Sequence, residues 1–293
     1  EIGDTNYFVT EACEYMDSFL HLTPNIGVLL NIDSDHLDYF KDMDHIVKSF
    51  KEFVSNIPKK GIIIAYGENP FVKEALRGLN NVITYGYTDS NDFYAENVSF
   101  DDGGFPEYDI CHEGKVLCHL HLGVPGEHNV LNSMAAYVAA RYLGVSDDVI
   151  VGTLKSFKGT HRRFDFTGVT KKGVKIVDDY AHHPTEIKAT LSAAGKVKHN
   201  KLRVIFQPHT YTRTKALFEE FVESFDHVDS LIITDIYAAR EKDVYGVSSY
   251  QLVNAIKAEY PDREVYYVQD FEDIVKYLSA NAEKDDIVMT MGA

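Results

Sequence analysis

Apolar and polar positions along this chain switch between two periods. Short apolar runs of β type alternate with stretches of helical periodicity, the pattern of an α/β fold with a parallel sheet. In the first half, strands are predicted at YFVTEA (7–12), IGVLLNI (26–32), GIIIAYG (61–67) and NVITYG (81–86). A helix is predicted over 44–56, where Ile46, Val47, Phe50, Phe53 and Val54 share one face. From about 93 to 123 the chain alternates like a hairpin that turns at Glu113–Gly114–Lys115. HNVLNSMAAYVAARYLG then predicts a helix over about 129–143, closed by Gly144. A second α/β unit follows, with strands at 174–180, 202–207, 230–236, 264–269 and 286–291 and helices at 184–196, 213–225, 248–259 and 270–281. Two domains are expected, 1–154 and 155–293, with no Pro- or Ser-rich linker between them.

Composition narrows the class. With 45% hydrophobic and 25% charged residues the chain is of globular type. Its formal charge of −16 argues against sequence-independent nucleic-acid binding, which needs a basic surface. Three cysteines, Cys13, Cys111 and Cys118, give no disulfide framework and favour a reducing compartment, so a cytoplasmic protein is expected. No apolar run approaches the length of a membrane span.

Ligands of open α/β sheets bind beyond the carboxyl ends of the strands. Four stretches fall there: DSDHLD, DDYAHHP, PHTYTRTK and DIYAAREKD. Asp33, Asp35, His36 and Asp38 read either as a capped, solvated loop or as donors to a hard cation, with Glu11 a further candidate. Asp178 and Asp179 are two adjacent acids where a helix start needs only one, and they precede Tyr180, His182 and His183. Arg162 and Arg163 in GTHRRFD offer forked donors to phosphate or carboxylate, and Arg213 and Lys215 sit in HTYTRTK. Cys111, His112, Cys118, His119 and His121 have no recognised zinc spacing and read better as a hairpin. Neither G-x-x-x-x-G-K-[ST] nor G-x-G-x-x-G occurs.

Six stretches in order, TEACEYMDSFLHL, NIDSDHLDYF, GEHNVLNSMAA, GTHRRFDFTG, DDYAHHPTEI and FQPHTYTRTKALFEEF, resemble the Mur ligase family. The resemblance implies the remainder of a P-loop-type central ATPase domain followed by a Rossmann-like C-terminal domain. It also implies that both ends are trimmed, leaving a ligase without its N-terminal domain and P-loop and inactive by itself. The implied activity is ATP-dependent addition of L-alanine to UDP-N-acetylmuramate through an acyl phosphate. By the same resemblance Glu11 and His36 hold Mg²⁺, and Asn129 and Asn132 contact adenine. Arg163 approaches the ATP phosphates and Asp179 the ribose. His182 and Arg213 face the alanine and the acyl phosphate, with His209 beside them. Two positions depart from the family pattern: Cys13 stands for a usual aspartate and Thr210 for a frequent arginine. Two rival readings are a non-catalytic nucleotide- or partner-binding module on the same fold, and a ligase for another small amino acid or a peptide.

Overall fold

The computed structural model describes residues 6–36 and 39–293, so Asp38 lies outside the described residues. The chain forms two compact units. One takes in the residues up to Tyr94 with 112–115 and Met134–Gly144; the other takes in Ala95–Cys111, Val116–Ser133 and Val145–Ala293.

The first unit begins with a 3-10 helix, Tyr15–His21. Strands β1 (Ile26–Leu29), β2 (Ile62–Tyr66) and β3 (Val82–Gly86) then run parallel, with α1 (Met43–Ser55) and α2 (Pro70–Ala75) as crossovers. Asp42 caps α1 by accepting from the His45 amide at 2.9 Å. Ile46, Phe53 and Val54 are buried with Phe19, Leu29 and Ile63, while Val47 and Phe50 pack against that core. The amphipathic face expected of this helix is therefore the one it buries.

Strands β4 (Phe93–Phe100), β5 (Pro106–His112) and β6 (Lys115–His121) continue the strand order of the first sheet. The β5–β6 hairpin turns where expected. Glu113 and Gly114 have φ of 50° and 73°, the two positive values that a two-residue turn of this twist requires. Helices α3 (His128–Tyr142) and α4 (Asp147–Ser156) follow.

The second sheet has the order β11-β10-β9-β12-β8-β7. Its strands are β7 (Asp165–Val169), β8 (Lys175–Asp179), β9 (Leu202–Phe206), β10 (Ser230–Ile233), β11 (Glu264–Tyr267) and β12 (Ile287–Met291). All pairings are parallel except β7 with β8. Helices α5 (Pro184–Lys196), α6 (Tyr211–Ala216), α7 (Phe218–Val222), α8 (Ser249–Glu259) and α9 (Phe271–Asn281) connect them. Leu202, Val204 and Phe206 enter one core with Leu191, Phe221 and Leu252, while Ile205 enters another with Ile232, Ile274 and Val288. Period-2 alternation thus places a buried layer on each face of the sheet.

Two expectations need correction. Residues 7–12 form no strand; Phe8 and Val9 are 90% and 92% exposed, and among the described residues no strand pairs with them, which a strand requires. The helix expected over 213–225 is two short helices, broken at Leu217, although Leu217, Phe221 and Phe225 still reach one core. The 3-10 helix, α2, α4 and β7 are elements that the sequence pattern does not mark.

Candidate active site

Strands β8 and β9 flank β12, and the chain passes from β8 to β9 through α5 before β12 is laid between them. Because β8, β12 and β9 run parallel, their carboxyl ends share one edge of the sheet, and open parallel sheets bind ligands in the crevice outside those ends. His182 lies just past the end of β8 and His209 just past the end of β9. Their rings meet edge to face at 5.7 Å.

The β8–α5 junction follows from its sequence. Pro184 takes the first helical position, and His183 accepts from the Thr185 amide as the N-cap. Glu186 completes a capping box: its Oε2 accepts from the amides of His182 at 3.1 Å and His183 at 3.3 Å. The same oxygen lies 3.3 Å from His182 Nδ1, and Oε1 accepts from Arg163 Nη1 at 3.5 Å. One carboxylate thus joins two predicted site residues.

The adjacent acids before this junction hold the GTHRRFD loop. Asp178 accepts from Arg162 Nε at 3.2 Å and from Thr290 Oγ1 at 2.5 Å. Asp179, 4% exposed, accepts from the amides of Phe164 at 2.7 Å and Ala181 at 2.8 Å. Burial is the largest influence on Asp179 and raises its carboxyl above the usual range, although those amides, Thr190 and Arg163 pull the other way. Arg162 also donates to the Gly292 carbonyl at 2.6 Å. Its guanidinium sits 4.7 Å from the centroid of the Tyr180 ring, and that of Arg163 sits 5.5 Å away.

At the β9–α6 junction Arg213 Nη1 donates to the His209 carbonyl at 2.9 Å and lies 3.3 Å from His209 Nδ1. Tyr237 stacks on His209 at 5.6 Å. Thr210, the departure noted above, turns its hydroxyl to Glu241 at 2.7 Å. Glu241 also accepts from the Thr212 amide at 2.9 Å and from the Thr212 hydroxyl. Burial raises the Glu241 carboxyl, but these donors outweigh it and hold the group below the usual range.

Asn129 and Asn132 share a face of α3, and Asn132 Nδ2 donates to Asn129 Oδ1 at 3.2 Å. Asn129 Nδ2 donates to the Pro125 carbonyl at 2.7 Å. Beside them, the buried Nδ1 of His128 has no hydrogen-bond partner among the described residues. Burial lowers the His128 pKa; Asp179 opposes this and Arg163 adds to it, so both lie within electrostatic reach. An orphaned buried nitrogen, two amides and the exposed Arg163 are a donor and acceptor set that suits a nucleotide.

Glu11 and His36 belong to the first unit. Glu11 is exposed. His36 has φ of 53° and lies 4.7 Å ring to ring from Tyr15. The acids beside His36 Nε2 are Glu14 at 3.6 Å and Asp35 at 3.9 Å. No group of three or more His, Cys, Asp or Glu among the described residues converges as a metal cage. The Glu11 carboxylate is the oxygen donor that suits Mg²⁺, which takes its other ligands from water and phosphate, while the His36 imidazole is a softer donor.

Of the predicted residues, the second unit therefore holds Arg163, Asp179, His182, His209 and Arg213 around one crevice, with Asn129 and Asn132 on α3. Sequence reasoning missed Glu186, Glu241 and His128. The H-P-T-E spacing could have revealed Glu186 as a capping residue, while nothing local marks the other two.

Two comparisons bear on the family. The Mur ligase middle domain matches residues 2–140, and the Mur ligase glutamate ligase domain matches residues 162–293. The chain is 48% identical over 293 residues to UDP-N-acetylmuramate–L-alanine ligase of Caldanaerobacter subterraneus subsp. tengcongensis, covering 100% of this chain and 63% of that protein. It is 50% identical over 294 residues to the protein of the same name from Alkaliphilus metalliredigens, again covering 63% of it. The chain thus spans about 63% of the length of the curated relatives it matches. In fold it is similar to the UDP-N-acetylmuramate-alanine ligase MurC of Thermotoga maritima, with a TM-score of 0.75 at 23% identity over 94% of this chain and 58% of that one. It is similar also to MurF of Acinetobacter baumannii, with a TM-score of 0.74 at 18% identity over 95% of this chain and 59% of that one.

Proposed function

The chain belongs to the Mur ligase family, and from that premise we propose that the protein joins L-alanine to UDP-N-acetylmuramate with cleavage of ATP. The observation that supports this reading is the 48% identity, along the whole chain, to a relative of that name. ATP would phosphorylate the muramoyl carboxylate, and the amine of L-alanine would attack the acyl phosphate. The product belongs to the assembly of peptidoglycan precursors in the cytoplasm.

In this reading residues 1–154 are the ATP-binding domain and 155–293 the ligase domain. Asn129 and Asn132 present amides to adenine, which has donor and acceptor edges to match. Arg163 faces the phosphates, where a guanidinium offers paired donors. Asp179 takes the ribose side and, through the Phe164 amide, holds the loop that carries Arg163. His182, His209 and Arg213 receive the amino acid and the acyl phosphate at the crevice, fixing the nucleophile against the carbonyl. Glu11 and His36 would hold Mg²⁺, which when bound neutralises phosphate charge.

The test is phosphate release from ATP that depends on both L-alanine and UDP-N-acetylmuramate, with Mg²⁺ present. A version extended to the length of the relatives should release phosphate only with all three substrates. This chain by itself has no G-x-x-x-x-G-K-[ST] stretch and should release little or none. An extended protein that leaves L-alanine unused would overturn the proposal. A second reading keeps the chemistry and changes the acceptor. It is favoured by Thr210, whose hydroxyl bonds Glu241 and which supplies no cation, so the acceptor carboxylate depends on Arg213. Glycine and L-serine, compared with L-alanine in the same assay, decide between the two.

A further inference from the structure

The groups around His182 and His209 determine which nitrogen of each ring carries its proton. His182 Nδ1 lies 2.9 Å from the Tyr180 carbonyl oxygen and 3.3 Å from Glu186 Oε2. A carbonyl and a carboxylate oxygen both accept, so Nδ1 holds the hydrogen and Nε2 of the neutral ring is the basic nitrogen. His209 is the reverse case. Its Nδ1 lies 3.3 Å from Arg213 Nη1, and a guanidinium only donates. Arg213 is steadied there by the His209 carbonyl at 2.9 Å. The neutral His209 ring therefore keeps its lone pair on Nδ1 and its hydrogen on Nε2.

We propose that the two rings are a matched pair, one a proton acceptor and the other a hydrogen-bond donor, serving amide formation. The proposal rests on the ligase reading. His182 Nε2 takes the proton that the amine loses as its nitrogen attacks the acyl phosphate. His209 Nε2–H hydrogen-bonds the phosphate oxygen that departs. One C–N bond forms and the C–O bond to phosphate breaks. The bonding pair leaves on inorganic phosphate and the proton ends on His182. Two identical tautomers could not divide these tasks.

The groups facing the pair are Tyr180 and Glu186 on the β8–α5 side, and Arg213, Tyr237, Glu241 and the His209 carbonyl on the β9–α6 side and the loop after β10. Burial, then His182 and Arg213, lowers the His209 pKa, with Glu241 and the backbone carbonyl of His209 opposing, and the net direction favours the neutral ring at pH 7.

Long-range ¹H–¹⁵N spectra of this chain labelled with ¹⁵N-histidine read the tautomers directly, with His182→Gln and His209→Gln variants assigning the signals. Opposite tautomers near pH 7.5 are expected. The same tautomer in both rings, or an imidazolium at either, overturns the proposal. Arg213→Met should move His209 toward a tautomer mixture and leave the His182 pattern in place. These spectra do not depend on ligase activity. The proton-transfer role is read on a chain extended to the length of its relatives. There His182→Gln should lose about 100-fold or more near neutral pH and recover as rising pH deprotonates the amine itself. His209→Gln should lose rate without such recovery. Parallel pH profiles for the two variants overturn the division of roles. An extended wild type that makes no L-alanine product removes the ligase reading and the chemical half of the proposal, while the spectra still decide the tautomers.

Discussion

The second sheet is pinned at each end by an arginine–aspartate pair, and the two pairs differ in what surrounds them. Near the amino ends of β9 and β12, Arg203 Nε meets Asp286 Oδ2 at 2.8 Å with side chains only 6% and 0% exposed. The rest of Asp286 is filled by Asn200 Nδ2 at 2.8 Å and the amides of Lys201 and Glu283, and Arg203 Nη2 donates to the Asn281 carbonyl. At the carboxyl ends, Arg162 Nε meets Asp178 Oδ2 at 3.2 Å with side chains 37% and 26% exposed. Arg163, His182 and His209 cluster beside that second pair. The same two residue types thus make a closed, dry lock at one end and a partly solvated brace at the other. The lock ties β9 to β12; the brace ties a loop with free approach from solvent to the sheet edge that the substrates would reach.

The largest effect is expected at the lock. Asp286→Asn leaves the Arg203 charge buried without its counter-charge and should cost about 3–5 kcal/mol in urea unfolding. Burial alone would raise the Asp286 carboxyl, but the bonds from Arg203, the Glu283 amide and Asn200 outweigh it and hold the pKa below the usual range. A carboxyl depressed in the folded state contributes stability that is fully present above its unfolded pKa of about 4. That contribution is lost as pH falls through the folded value. Acid should therefore destabilise the wild type more steeply than Asp286→Asn below about pH 4. A loss under about 1 kcal/mol, the range of surface pairs, would erase the contrast between the two ends.

A smaller effect is expected at Gly126, which opens the turn before α3. Its φ of 101° suits glycine, and an added Cβ would lie 2.7 Å from His128 Cε1 and 3.0 Å from Ala193 Cβ. Gly126→Ala should cost about 1–3 kcal/mol and displace His128 and Asn129 together. Nucleotide affinity, followed by calorimetry with ADP on the extended protein, should fall alongside stability. Lost stability with unchanged ADP affinity would detach this turn from the proposed nucleotide side.

Much of this arrangement was legible in the sequence, for identifiable reasons. Period 3.6 marked the buried face of α1 because burial there is decided by neighbours three and four residues apart. Turn chemistry marked Glu113–Gly114 for the same local reason. The rule that ligands lie past strand ends picks out His182 and His209 from sequence. What stayed hidden is long in sequence. Asp179 reaches the Phe164 amide 15 residues away, and Glu241 reaches Thr210 across 31. Backbone donors carry no sequence label, so two adjacent acids looked like ligand donors when they are also the fastening of a loop. Thr210 departs from the family pattern in sequence, but only the fold shows that Glu241 takes its hydroxyl. The segment 7–12 has strand composition, but composition cannot supply the neighbour that a strand must pair with.

The smallest effect on stability, and the sharpest check of the contrast, is expected at the brace. Arg162→Lys removes the fork that spans Asp178 and the Gly292 carbonyl, and it weakens the contact with the Tyr180 ring. Because the pair is more than a quarter exposed on both sides, water compensates much of the loss. The cost should stay within about 1 kcal/mol, or a fall in Tm of about 2–4 °C. The loop that Arg162 anchors also carries Arg163, so the variant should weaken ADP binding by more than its stability change implies. A loss of several kcal/mol would mean that the brace is a second lock. Unchanged ADP affinity would mean that the loop keeps its place through Asp179 and the Phe164 amide alone.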